Sequence, residues 1–421
     1  MKKWYSLIDK IYRKENLEQA FKHVKSNKGA PGIDGESVLD FASNLELNIE
    51  FLHGRLKTNT YVPSPVRRVE IEKPDGGTRL LGIPTVKDRV VQQALVNIIE
   101  PIFDPTFHPS SYGYRPKHSQ HQAVAKAERF MNKYGLEHVV DMDLSKCFDT
   151  LDHEIMIKAV SERISDGRVL DLIRNFLKSG VMQRENFFET EVGSPQGNVC
   201  SPLLSNIYLN QFDQKMMSKG IRIVRYADDI LIFAKEKKTA GNNRVYATKI
   251  LEEELKLKVN DMKTKQTTVN EGVQFLGFVI HRETLGVNPK RIKRFKDKVK
   301  RITRRNSGRK LEEVIKELNP VLRGWMNYYR VANIERFTGS FMGWLRRRLR
   351  MVKMKQWKTY KAMHKEMRKR GIKGNGLKMA VTKWKNSNVH IVHRIFPNQY
   401  FEDIGLIDMY KYEVGLLSNY Y

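Results

Sequence analysis

The sequence predicts an α+β fold, a mixed region of strands and helices followed by a basic helical third, and three observations predict it. In the first 286 residues, short apolar runs bounded by turn residues alternate with stretches of helical spacing. From Val287 onward the apolar residues fall at helical intervals along basic segments. The charge divides at the same place: residues 287–421 hold 34 Lys or Arg against 10 Asp or Glu, whereas residues 1–286 hold 42 against 37. Such an asymmetry belongs to a domain rather than to a uniformly cationic surface.

Taken in order, Val69-Glu-Ile71 and Thr78-Arg-Leu-Leu81 flank Lys73-Pro-Asp-Gly-Gly77, turn chemistry that predicts a hairpin. A helix follows over 87–99. His138-Val-Val-Asp-Met-Asp-Leu144 reads as a strand running into a helix around Ser145. Residues 221–226 and 230–234 read as paired strands with Ala227, Asp228 and Asp229 between them. In the basic third, Ile292, Phe295, Val299 and Ile302 line one face of a predicted helix over 290–302. A second basic helix includes Trp344-Leu-Arg-Arg-Arg-Leu-Arg-Met351 and continues towards Trp357. Gly371-Ile-Lys-Gly-Asn-Gly376 predicts a break before a smaller terminal unit. The predicted divisions are therefore 1–286, 287–370 and 371–421.

A chain of 421 residues has room for two or three domains and a sizeable core. A net charge of +29 repels itself in the folded state and points to a polyanionic partner. Aromatics, among them Trp325, Tyr328, Tyr329, Trp344, Trp357 and Trp384, are interleaved with the basic residues; each singly reads as core, while the lopsided sign of the whole segment reads as phosphate contact. Two cysteines, Cys147 and Cys200, exclude a disulfide framework or a multi-cysteine zinc site. Asp9 and Lys10 interrupt any leader-like apolar run, and the uncharged stretch 192–212 is broken by Pro195 and Pro202, so the expectation is a cytoplasmic protein without a membrane partner. His118/His121 and His390/His393 have helical spacing but lack the further ligands of a metal site.

Carboxylates at strand ends need a compensating cation. Asp228 and Asp229 stand side by side between two hydrophobic strands, and a type I′ turn would favour glycine at the second turn position. Asp141 and Asp143 lie two apart on another apolar strand and point to one face. Together they would suit Mg²⁺, and two such ions roughly 3.5–4 Å apart could clamp the oxygens of a phosphoryl transfer. Side-chain chemistry alone leaves Asp141 and Asp143 open.

Tyr226-Ala-Asp-Asp229 is the Tyr-x-Asp-Asp signature of reverse transcriptases. It stands with Asp141-Met-Asp-Leu-Ser-Lys-Cys-Phe-Asp149, Gly193-Ser-Pro-Gln-Gly197, Ser201-Pro-Leu-Leu-Ser-Asn-Ile207 and Phe275-Leu-Gly-Phe278, in the order such polymerases use. Upstream are Asn27-Lys-Gly-Ala-Pro-Gly-Ile-Asp-Gly35, Arg79-Leu-Leu-Gly-Ile-Pro-Thr85 and Tyr112-Gly-Tyr-Arg-Pro116; downstream is Leu322-Arg-Gly-Trp-Met-Asn-Tyr-Tyr329. The set resembles the bacterial group II intron reverse transcriptase/maturase family over essentially the whole chain.

The resemblance implies a right-hand polymerase with fingers and palm, a helical thumb and a small basic DNA-binding region at the C-terminus. It implies that Asp143, Asp228 and Asp229 hold two Mg²⁺ ions, with Mn²⁺ as a substitute, and that Phe148 gates against the 2′-hydroxyl. Lys73 and Arg79 would grip the incoming triphosphate, Gln196 and Gly197 would line the nucleotide site, and Lys263, with Lys265 beside it, would protonate departing pyrophosphate. Leu276, Gly277 and Phe278 would form the primer grip, and Arg115, Arg346, Arg347, Arg348 and Arg350 would bind nucleic acid. The implied partners are intron RNA and RNA templates, DNA primer and target, and deoxynucleoside triphosphates. Asn198 stands where the family usually has glycine, Cys147 stands where an aromatic often precedes the gate, and the family's Cys/His endonuclease module is expected to be absent. A domesticated polymerase in phage defence or DNA repair, and a splicing factor with an inactive polymerase fold, are the alternative readings.

Overall fold

Strand-period alternation becomes three sheets in a computed structural model of the chain, which describes residues 3–421 apart from 73–75, 184–185, 189–192, 194–196 and 374–379, with the backbone alone for Arg79, Gln183 and Asn186–Phe188. Two compact units result, Met1–Thr268 and Val269–Tyr421.

In the first unit, β1 (Val66–Glu72) and β2 (Thr78–Ile83) pair antiparallel as the flanking runs predict, while the turn residues 73–75 lie outside the described residues. The second sheet, the one that carries the acidic residues, is built from β3 (His138–Met142), β6 (Arg222–Tyr226), β7 (Asp229–Ala234) and β8 (Lys265–Thr268) in the antiparallel order β6-β7-β3-β8. Two short strands, β4 (Val181–Gln183) and β5 (Asn186–Phe188), complete the first sheet in the order β2-β1-β4-β5, with β1 and β4 parallel. Ile230–Ala234 of β7 are all buried, as a central strand covered on both faces requires.

Helices Gln120–Asn132 and Ser201–Ser218 pack on β6, and Lys237–Lys249 packs on β7 and β3. The helix Val86–Phe103 starts where Thr85 accepts from the Asp88 amide at 3.1 Å, a cap worth about 1 kcal/mol. Its buried Val90, Val91, Ala94, Leu95 and Ile99 join one hydrophobic cluster that runs from Leu7 to Val259. Each fully buried valine, leucine or isoleucine contributes roughly 1.5–3 kcal/mol relative to exposure.

The α-helix expected around Ser145 does not form. β3 ends at Met142 and is followed by a single 3₁₀ turn, Cys147–Asp149, entered through a left-handed Lys146 (φ +50°). Leu144 bridges Val259 instead, so this segment continues the edge of the sheet rather than coiling.

The second unit is not wholly helical. It opens with a meander of β9 (Val273–Phe275), β10 (Phe278–His281) and β11 (Thr284–Val287), so residues 269–286 pack with the C-terminal part although their charge resembles the N-terminal part. The predicted basic helices follow as Pro289–Ile302 and Glu335–Trp357, separated by Leu311–Tyr329. Their interior is aromatic: Phe295 stacks on Trp325 at 4.7 Å, and Trp325 meets Tyr329 at 4.8 Å. Of the interleaved aromatics, Trp325 and Tyr329 are buried, Tyr328, Trp344 and Trp357 are half-buried, and Trp384 is exposed. Among the described residues, no helix is long and apolar enough to cross a membrane.

Candidate active site

The paired aspartates sit on a two-residue turn closed by the Tyr226–Asp229 pair of the β6–β7 hairpin. Ala227 takes the left-handed conformation (φ +57°) and Asp228 does not, so the turn is not type I′; the strained position falls on alanine where a II′-like turn would carry glycine. Something must hold that turn, and Arg225 does. Its Nη1 donates to the Ala227 carbonyl at 3.0 Å and to Asn206 Oδ1 at 2.9 Å. Its Nε donates to both carboxylate oxygens of Asp213 at 2.9 Å, and Nη2 donates to Oδ2 at 2.6 Å. Both side chains of this ion pair are fully buried.

The segment around Tyr112 braces the other side. The Tyr112 amide donates to the Arg225 carbonyl and the Arg225 amide donates to the Ser110 carbonyl, both at 2.9 Å. Asn206 Nδ2 donates to the Gly113 carbonyl at 2.8 Å, and a Cβ on Gly113 would collide with the Ala227 amide nitrogen. Gly113 is thus glycine because another backbone lies against it. Arg225, Asp213, Asn206 and Gly113 are positioning residues that sequence reading missed; the buried arginine followed by Tyr-x-Asp-Asp was the available signal.

β3 brings the other carboxylates alongside. Asp141 pairs with Leu231 and Met142 with Ile230, the last pair of the ladder, so Asp143, which follows β3 directly, and Asp229, which opens β7, lie at the same end of the sheet. Each strand acid also meets a lysine. Asp141 pairs across the sheet with Lys265, while Lys263 Nζ lies 3.5 Å from Asp143 Oδ2 on the turn that caps the strand. That turn is tied down by the Asn260 amide donating to the Asp143 carbonyl at 2.8 Å. Burial, then repulsion from Asp143, pushes the Asp141 carboxyl up to about 6, against a downward pull from Lys265. Asp141, Asp143 and Asp228 are half-buried and Asp229 is exposed.

Hard carboxylate oxygens at adjoining strand ends fit a divalent cation chemically. As arranged, no three His, Cys, Asp or Glu side chains among the described residues converge closely enough to hold one, so ligation requires these side chains to turn together.

Phe148 sits on the 3₁₀ turn after β3, half-buried and edge-on to Tyr114 at 6.4 Å. Gly197 adopts φ +123°, and a Cβ there would collide with the Gly82 carbonyl of β2, so this loop lies on the first sheet by direct backbone approach. Gln92 Oε1 accepts from the Val199 amide at 2.6 Å, a second support that sequence reading missed. Asn198 is buried, with Oδ1 lacking a hydrogen-bond partner among the described residues. Cys147 is buried next to Phe148 in the chain; burial and the Asp228 charge push its thiol up to about 12. Lys73, Gln196 and the Arg79 side chain lie outside the described residues; the Arg79 backbone pairs with Ile71.

A family profile described as "Reverse transcriptase (RNA-dependent DNA polymerase)" matches residues 71–280, and "Group II intron, maturase-specific domain" matches 292–371. Protein YkfC of Escherichia coli (strain K12) is 35% identical over 310 residues, covering 64% of this chain and 81% of that protein. The chain belongs to the group II intron reverse transcriptase/maturase family. It is an RNA-directed DNA polymerase, and polymerases of this kind generally use divalent metal ions. The group II intron-encoded protein LtrA of Lactococcus lactis subsp. cremoris is 36% identical over 209 residues, 49% of this chain and 34% of that protein. A putative COX1/OXI3 intron 2 protein of Saccharomyces cerevisiae is 32% identical over 250 residues, 56% of this chain and 28% of that protein. The matches to these two intron proteins therefore span about a third of their length or less.

In this reverse transcriptase, the Phe275–Phe278 pair closes a two-residue turn in which Leu276 and Gly277 both have positive φ (+48° and +85°), as a type I′ hairpin requires. Tyr328 Oη donates to the Leu276 carbonyl at 2.8 Å. Phe278 is wholly buried and stacks on Tyr328 at 5.5 Å, so its side chain packs beneath the turn.

Three of the arginines expected on nucleic acid are structural. Arg346 is buried against Asp408 (2.7 Å) and Glu402 (3.8 Å). Arg350 is buried, with Nε donating to the Phe396 carbonyl at 3.0 Å. Desolvation, then repulsion from Arg346, lowers the Arg350 guanidinium to about 10. Arg115 donates to Asp104 Oδ1 at 2.7 Å and to three backbone carbonyls, knotting its own loop. The reason is helical geometry for the first two: positions four apart share one face, and here that face is the core. Arg347 and Arg348 fall on a different face.

Proposed function

We propose that this polymerase copies RNA into DNA with two Mg²⁺ ions held by Asp143, Asp228 and Asp229, and that it binds its intron RNA to assist splicing and mobility. The observation that supports the metal assignment is the hairpin: a buried Arg225–Asp213 pair holds the turn that carries Asp228 and Asp229, and Asp143 follows the last β3–β7 pair at the same end of the sheet. Bound there, the ions would lower the pKa of the primer 3′-hydroxyl and offset charge on the phosphates. The primer 3′-hydroxyl would give its proton to solvent as its oxygen forms a bond to the α-phosphorus of the deoxynucleotide, the bond to pyrophosphate would break, and the leaving group would take up a proton. Lys263, whose ammonium sits beside Asp143, would supply it. Phe148 would exclude a 2′-hydroxyl, with Tyr114 as its buttress.

The assignment of fingers and palm to the first unit, and of the thumb to the helices after Pro289, rests on the same reading. So do a cytoplasmic location and DNA primer and target as partners. The maturase-specific match over 292–371 favours the intron role over a domesticated one.

Primer extension on an RNA template tests the proposal. Wild-type protein should extend a DNA primer with Mg²⁺ and not with EDTA. Asp228→Ala with Asp229→Ala should abolish extension while retaining RNA affinity. Extension by that double variant near the wild-type rate would remove the metal assignment.

A further inference from the structure

The run Arg346-Arg347-Arg348 divides by side. Arg346 turns into the core, whereas Arg348 borders a cavity of about 290 Å³ in the second unit, lined by Thr303, Arg304, Arg305, Asn306, Arg348 and Trp384. From this cavity we infer a binding pocket for one nucleotide of a single-stranded nucleic acid, its base stacked on Trp384 and its phosphates held by Arg304 and Arg305. The inference rests on the reading of the chain as a nucleic-acid polymerase and adds a specific site to it.

Charge is the first reason. Arg304, Arg305 and Arg348 line this cavity, Arg347 lies over the ring of its Trp384, and none of the four pairs with a carboxylate among the described residues. Arg346, one position away, has two acidic partners. Three such guanidinium groups on the lining and a fourth over its indole favour an anion, and phosphate is the anion whose geometry suits their forked donors.

Preorganisation is the second reason. Arg348 is fixed by Nε donating to Thr303 Oγ1 at 2.7 Å and by Nη2 donating to the Lys300 and Thr303 carbonyls, each at 3.2 Å. These bonds complete the C-terminal end of the helix Pro289–Ile302 and leave Nη1 without a hydrogen bond to a described residue. Arg305 is steadied by Nη1 donating to the Thr382 carbonyl at 3.2 Å. The pocket therefore loses little side-chain entropy on binding.

The third reason is the ring. Trp384 remains 38% exposed, against the buried Trp325, and it lines the cavity. Arg347 lies over it at 4.9 Å and Arg348 at 5.9 Å, so the indole is held in place by cations that also suit a phosphate. An aromatic face beside unpaired arginines is the combination that binds single strands without reading sequence. A base inside a duplex is stacked on its neighbours and cannot reach such a platform.

The test uses the full chain and fluorescein-labelled single-stranded RNA and DNA of one mixed sequence, a blunt RNA duplex, and a fully abasic strand. Trp384→Ala should weaken binding of both single strands roughly tenfold, within the range for loss of one stacked base. Trp384→Phe should restore most of it, and the abasic strand should bind wild type and Trp384→Ala equally. Arg304→Ala with Arg305→Ala should lower the slope of log affinity against log salt by about 1.4, at about 0.7 per single-strand phosphate contact. Equal single-strand binding by wild type and Trp384→Ala, at matched melting temperature, overturns the pocket and leaves the polymerase reading intact. Equal loss on duplex and single strand would overturn base stacking. If wild-type protein neither binds RNA nor extends a primer, both readings fall.

Discussion

Breaking the buried pair beneath the Tyr226–Asp229 turn separates stability from positioning. In Asp213→Ala the guanidinium of Arg225 loses three hydrogen bonds, at 2.9, 2.9 and 2.6 Å, and stays fully buried. An uncompensated buried charge of this kind costs about 3–5 kcal/mol. At roughly 2–4 °C per kcal/mol for a unit of this size, the melting temperature should fall by about 10 °C. Replacing both partners, Asp213→Leu with Arg225→Met, removes the orphaned charge and should recover stability to within about 1 kcal/mol. It cannot recover the donor to the Ala227 carbonyl, 3.0 Å away in the intact protein. A charge-assisted hydrogen bond contributes about 1.5–3 kcal/mol, so single-turnover primer extension should slow by roughly 10- to 100-fold in the double variant. Thermal unfolding and extension are measured on the same preparations. Wild-type extension by a stable double variant would refute the claim that Arg225 positions the hairpin, and a cost below about 1 kcal/mol for Asp213→Ala would refute the burial argument.

Phe148→Val should raise incorporation of ribonucleotides relative to deoxynucleotides by at least tenfold, and unchanged selectivity in extension assays would reject the gate. Arg346→Ala should lower the melting temperature, because Asp408 is left buried at a cost of about 3 kcal/mol, while the salt slope of RNA binding stays unchanged. Asp141 carries a sign that can be checked: its folded value of about 6 lies above the unfolded value near 3.9, so the native state binds more protons between those limits and stability falls as pH rises through them. In EDTA, Asp141→Asn should therefore gain on wild type from pH 4 to 6, by on the order of 2–3 kcal/mol, and hold that gain above pH 6; a pH-independent difference in melting temperature would contradict it.

How much was legible in the sequence depends on whether the information was local. The two strands that flank the Tyr226–Asp229 turn and the helix over 289–302 follow from periodicity within a few residues, whereas the turn itself, with a left-handed Ala227, is held by contacts to Asp213 and Asn206. The helix expected near Ser145 failed because Leu144 has a partner 115 positions away, Val259, which no local window contains. The charge step at Gly286 marked a change of surface, whereas packing places residues 269–286 in one unit with the C-terminal helices.

By itself, the sequence determined the chemistry: which acids, lysines and glycines the chain has, and the motif order that identifies a reverse transcriptase. Tertiary structure decided the use of each. Asp141 and Asp143 are equivalent by spacing, and they differ once Lys265 stands opposite one and Lys263 reaches the other. Arg346 and Arg348 are equivalent in composition, and they differ once the helix buries one against Asp408 and leaves the other at a cavity with Trp384. The physical reason is the same in both cases. An ionised side chain takes its role from the charges and solvent around it, and those neighbours come from residues far away in the chain.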